Sequence, residues 1–78
     1  MALVKEDKER AMVRKVCIRL ADERKKLGIS QQRLSEMAGL SRTGVRHIES
    51  LETNPTLSSL LKVTNALELD FAAMISES

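Results

Sequence analysis

The stretch QQRLSEMAGLSRTGVRHIES, residues 31–50, decides the fold. Counting from Gln31 as position one, Leu34, Ala38, Leu40, Val45 and Ile48 fill the places where two short helices crossing steeply need apolar contacts. Ser35, at the fifth place, is small enough for close approach. Gly39, at the ninth, can take the left-handed backbone of a three-residue turn. A hydroxyl able to cap free backbone amides precedes each segment, Ser30 before Gln31 and Ser41 before Arg42. These constraints, all met in register, predict a helix-turn-helix with helices over about 31–38 and 42–51.

Toward the N-terminus, Val13, Val16, Cys17, Leu20 and Leu27 recur at three- and four-residue steps and predict a first helix over about 5–27. Glu6, Asp7 and Glu9 fall in its first turns and Arg24, Lys25 and Lys26 in its last, complementing the helix dipole, and Gly28 stops it. At 1.5 Å per residue such a helix is roughly 35 Å long, more than a small body needs, so the turns before Met12 are expected to project. Toward the C-terminus, Asn54-Pro55 breaks the chain and Thr56 caps a fourth helix over about 56–67, followed by a short one near 70–75. No strand-like alternation or repeat appears. The expectation is an all-α fold, a compact five-helix domain spanning 1–78.

Composition narrows the function. The 78 residues are 42% hydrophobic and 31% charged, with no Trp or Tyr, so the core must be aliphatic. A domain this small buries only about 60% of its unfolded surface and has no volume for a deep substrate cavity. No Ser, His and acidic residues group into a nucleophile with a base, and no glycine-rich phosphate loop is present, which argues against an enzyme and implies no cofactor. Cys17 is the single cysteine and reads as a small core hydrophobe. Phe71 with Leu67, Met74 and Ile75 also reads first as core. His47 has no ligand-spaced partner, so no metal is implied. One cysteine, no apolar run near the roughly 20 residues that span a bilayer and no effector segment after residue 78 suggest a cytoplasmic, nucleoid-associated protein without a ligand sensor.

Charge is divided unevenly: residues 1–27 carry net +4, 28–50 net +1 and 51–78 net −3. A dipolar domain of this kind meets a polyanion with one side only. On a helical wheel from Arg42, the side chains of Arg42, Thr43, Arg46, His47 and Ser50 share one polar face, opposite Gly44, Val45, Ile48 and Leu51. That face lacks acidic residues. Arginine's fork matches guanine O6 and N7, and a threonine methyl meets thymine, so double-stranded DNA is the expected partner.

From LGISQQRLSEMAGLSRTGVRHIE through NPTLSSLLKVTNAL, about 20–75, the chain resembles the phage-repressor and Cro-type, or xenobiotic-response-element-like, helix-turn-helix regulators. The resemblance implies base contacts by Arg42, Thr43, Arg46 and His47, phosphate contacts by Gln31 and Ser41, and an ion pair between Arg24 and Glu49; Ser50, on the same polar face, is a further candidate phosphate contact. The resemblance also shows departures. A bulky residue is usual where Gly44 sits, glycine where Leu51 sits, and basic residues near Ser50 and Thr53, so fewer phosphate contacts are implied here. Gly44 is then either tolerated by the helix or needed for close approach to DNA, and Leu51 makes the turn after the recognition helix close differently.

One recognition helix reads too few base pairs to find one site in a genome, so a transcriptional regulator of this size is expected to bind a palindromic operator as a homodimer. Apolar residues left over from the core supply the interface: Leu51, Met74 and Ile75, with Met12 and Val4 on the first helix as a second set. The other function class this sequence allows is an antitoxin-like or co-regulator module that grips a protein such as a toxin, with DNA binding secondary.

Overall fold

The computed structural model describes the backbone of residues 2–77 and the side chains of residues 8–76. The described chain holds five helices and no strand: α1 (Ala2–Leu27), α2 (Gln31–Ala38), α3 (Gly44–Ser50), α4 (Leu57–Ala66) and α5 (Phe71–Glu77). α2 packs against α3 and α4, and α1 lies across α3, α4 and α5. Val16, Cys17 and Leu20 of α1 meet Leu34, Val45, Ile48, Leu60, Val63, Leu67 and Met74 in one aliphatic core, with Ala38, Leu40 and Phe71 at its margin. All the apolar positions predicted for the two-helix motif therefore face inward.

α1 begins at Ala2, three residues before the expected start, and its first turn carries no acidic residue. The expected pairing of Glu6, Asp7 and Glu9 with the start of the helix is thereby corrected. Its last turn does hold Arg24, Lys25 and Lys26, and Gly28 follows in the left-handed conformation at φ 72°. The long axis of 41 Å matches about 39 Å for a helix of this length, so α1 sets the molecule's longest dimension. Among the described side chains, Lys8 to Met12 are exposed and burial starts at Val13.

α3 starts at Gly44, two residues later than the sequence suggests. Thr43 has φ −104° and ψ 10°, and the Gly44 amide donates to the Ser41 carbonyl at 2.9 Å, which makes 41–44 a turn. Ser41 is therefore not the cap, and Thr43 makes no side-chain cap either. The cap comes from α2. Ser35 Oγ accepts the Val45 amide at 3.0 Å and donates to the Gln31 carbonyl at 3.0 Å, so the small residue that packing required also satisfies a buried amide at the start of α3. Ser30 and Thr56 cap α2 and α4 through the amides of Arg33 and Ser59.

Gly44 has a packing reason that neither sequence-based explanation supplied. A Cβ added there would lie 2.8 Å from Leu40 Cβ and 3.1 Å from Leu40 Cδ1. At the other end of α3, Leu51 adopts the left-handed conformation at φ 63°, so the turn closes as it would with glycine, at the cost of strain. Glu68 does the same after α4, at φ 59°, with its own amide bonded to the Asn65 carbonyl and that of Leu69 to the Thr64 carbonyl, both at 3.0 Å.

Two substitutions test these backbone assignments by urea or thermal unfolding. Gly44→Ala gains at most about 1 kcal/mol of helix propensity at this first helical position but overpacks Leu40, and overpacking costs about 1–3 kcal/mol; a net loss of stability is expected, and a net gain would refute the packing explanation. Glu68→Gly relieves a left-handed strain of about 1–2 kcal/mol and gives back part of it as unfolded-state entropy. A rise of about 0.5–1 kcal/mol is expected.

Candidate nucleic-acid interface

The candidate face rests on a polar knot beneath it. Arg24 of α1 donates from Nε to Glu49 Oε2 at 2.7 Å and from Nη2 to Glu49 Oε1 at 3.0 Å, a two-pronged ion pair with side chains 12% and 10% exposed. Its third nitrogen, Nη1, donates to the Ile29 carbonyl at 2.8 Å in the turn before α2. Gln31 Nε2, at the start of α2, donates to the same Glu49 Oε1 at 2.8 Å. One carboxylate on α3 thus gathers α1, α2 and, through Arg24, the turn between them. Burial pushes the Glu49 carboxyl up, but hydrogen bonds from Arg24 and Gln31 and the charges of Arg24 and Lys25 outweigh it and hold it below its ordinary value. The hydrogen bond to Glu49 in turn pushes Arg24 up against the opposing effect of burial.

On the outer side of α2 and α3, Arg42, Thr43, Arg46 and His47 are all exposed. Arg42 and Thr43 sit in the turn before α3, and Arg46 and His47 on the helix itself. Arg42, Thr43 and Arg46 line a shallow groove with Gln31 and Gln32 of α2. His47 faces a second groove on the other side of α3, together with Ser41 and the loop residues Thr53 and Asn54. The four expected base readers therefore flank one helix from two sides. Among the described residues, neither Arg42 nor Arg46 enters an ion pair, and α3 carries no acidic side chain except the inward-held Glu49.

The other expected site residues divide. Gln31 is half-buried and spends one amide hydrogen on Glu49, which leaves one of its two donors. Ser41 is exposed. Ser50 donates its hydroxyl hydrogen to the His47 carbonyl at 2.7 Å and accepts the Glu52 amide at 3.2 Å; it closes the end of α3, and a phosphate would have to take the hydrogen now given to His47. Met74 is corrected. It is 4% exposed and packs in the core of its own chain, because α5 lies against α1 and turns this side chain inward. Leu51 and Ile75, at 40% and 39%, remain on the surface, as does Met12; the side chain of Val4 lies outside the described residues.

Sequence reasoning missed two members of this assembly, the bond from Gln31 to Glu49 and the cap from Ser35 to Val45. A hydroxyl forced into a fully apolar position was the available signal for the second, since it needs a buried partner.

A double-mutant cycle on Arg24→Ala and Glu49→Ala is expected to give coupling above the 0.2–1 kcal/mol of an exposed pair, with each single change costing about 2 kcal/mol or more. Since the folded Glu49 titrates below its unfolded value, its contribution is present above the unfolded pKa and is lost as pH falls through the folded one. Glu49→Gln should therefore flatten the acid side of the stability profile, below about pH 4.5. An unchanged acid limb would refute the assignment.

A family profile described as Helix-turn-helix matches residues 20–73. The cryptic phage CTXphi transcriptional repressor RstR of Vibrio cholerae is 36% identical over 55 residues, 70% of this chain and 49% of that protein. The HTH-type transcriptional regulator PuuR, from Escherichia coli and from Shigella flexneri, is 32% identical over 59 residues, 76% of this chain and 32% of that protein. This chain thus spans about half the length of the first relative and a third of the second. No solved structure matches. With the profile running from the last third of α1 into α5 and the buried motif positions in register, the chain belongs to the helix-turn-helix family of the phage-repressor and Cro type.

Proposed function

We propose that this chain is a sequence-specific DNA-binding regulator of transcription that reads a two-fold related operator as a homodimer. The observation that carries the reading is the acid-free outer face of α3 and its preceding turn, where Arg42, Thr43, Arg46 and His47 are exposed and both arginines are unpaired among the described residues. The relatives' names, a transcriptional repressor and a transcriptional regulator, support it. In this reading Arg42 and Arg46 take guanine edges, Thr43 a thymine methyl and His47 a base or a phosphate. Gln31, through its remaining amide hydrogen, and Ser41 hold the phosphate backbone. Leu51 and Ile75 supply apolar surface to the dimer, in which half-site centres stand about 34 Å apart.

Selection from random duplex DNA tests the class: an enriched palindrome is expected, and no enrichment would favour a protein-gripping role in place of DNA. Arg42→Ala or Arg46→Ala should cost about 1–3 kcal/mol of binding and relax the preference at one position per half-site, whereas Gln31→Ala or Ser41→Ala weakens all sequences alike. Both arginine variants binding as the parent does would overturn the assignment. For the dimer, sedimentation at micromolar concentration should show Ile75→Glu, or Leu51→Asn, which suits a left-handed backbone, shifted toward monomer with unchanged helicity. A parent chain that stays monomeric on the selected palindrome would refute it.

A further inference from the structure

We infer that Arg10 and Arg14 of α1 form a second phosphate clamp, gripping the DNA backbone beyond the end of the recognition helix; the inference rests on the DNA-binding reading above. Both side chains are exposed and stand one helical turn apart, so they share one face of α1. Neither enters an ion pair among the described residues. Further along α1, Arg19 pairs with Glu23, Arg24 with Glu49, and Lys26 with Asp22 and Glu23, while Lys25 enters no ion pair among the described residues. Arg10 and Arg14 are thus the arginines of α1 whose guanidinium groups are left unpaired among the described residues.

Position ties that charge to the reading face. Arg10 and Arg14 line a cleft whose opposite wall is the loop leaving α3, including Thr53 and Asn54. The same two loop residues line the groove that His47 faces. The surface thus passes from His47 through Thr53 and Asn54 to the two arginines. A duplex is a continuous chain of phosphates, so backbone lying along α3 reaches this cleft next. The loop itself offers no cation there, and Glu52 adds a carboxylate to the same cleft. Without the α1 arginines that side of the interface would repel the backbone. Guanidinium groups suit the task because they bind phosphate in two-pronged fashion.

The test is the salt dependence of binding by the full chain to its selected duplex. Each lost phosphate contact makes the slope of log K against log salt shallower by about 0.9. The Arg10→Gln/Arg14→Gln double variant is expected to be shallower by about 1.8, and Arg14→Gln alone by about half that, with sequence preference unchanged. Between 50 and 200 mM salt the parent then loses roughly tenfold more affinity than the double variant. Lys8→Gln/Lys15→Gln removes the same charge from a different side of α1, roughly 100–160° around the helix from the two arginines, and should keep the parent's slope. An unchanged slope in the arginine variants, or an equal change in the lysine variant, overturns the clamp while leaving the DNA reading standing. A parent chain that shows no selective binding overturns the reading itself, and the clamp with it.

Discussion

The Glu49 carboxylate is the constraint on which the arrangement of the first three helices depends. It receives two hydrogen bonds from Arg24 and one from Gln31, and Arg24 spends its remaining nitrogen on the Ile29 carbonyl. A lysine could not replace this arginine, because a single ammonium cannot present a flat fork to the carboxylate and still reach a carbonyl on its other side. Burying both charges carries a desolvation cost, and what the chain gains is geometry: the angle of α3 is fixed against α1 and against the start of α2 at one point. The same contact has an electrostatic effect. Glu49 is the one acid on α3, and pairing it with Arg24 removes its negative charge from the face that carries Arg46 and His47.

A seven-residue helix would not persist on its own, since nucleation is costly and isolated helices this short are unstable in water. α3 is held by burial of Val45 and Ile48 and by the hydroxyl of Ser35, which reaches across from α2 to the Val45 amide. Ser35 is fully buried, so the cap is shielded from competing water and its loss would leave an amide unsatisfied. The turn at Gly39 and the space that Gly44 leaves for Leu40 follow from the same requirement: two short helices must approach closely enough for a serine on one to cap the other.

Much of this was legible in the sequence because it rests on spacing. Leu34, Ser35, Ala38, Gly39, Leu40, Val45 and Ile48 sit at fixed offsets from Gln31, and the structure turns Leu34, Ser35, Val45 and Ile48 into the core. Helix ends were less legible, because capping hydroxyls compete. Ser41 looked able to start α3, and the cap came instead from Ser35, ten positions before the Val45 amide that it holds. Met74 and Ile75 were assigned both to the core and to the interface for a related reason: in a helix as short as α5 the pattern is too brief to tell an inward residue from an outward one, and only the packing of α1 against α5 puts Met74 in the core and Ile75 outside. The partnership of Arg24 with Glu49 was not readable from spacing, since 25 residues separate the pair; the family resemblance supplied it.

The two left-handed residues show where the fold stores strain. Leu51 and Glu68 each occupy a helix end at which glycine would cost nothing sterically, and each carries a penalty of about 1–2 kcal/mol in a domain whose class is stable by only about 5–15 kcal/mol. Leu51 lines the cleft between α1 and the loop together with Val13 and Cys17 and is 40% exposed, so it presents apolar surface there that a glycine would lack. Glu68 is exposed and carries a charge. The asymmetry separates the two positions by what each presents: the strained residue after α3 places an apolar side chain at the cleft shared with α1, whereas the one after α4 places a carboxylate in solvent at the end of a helix.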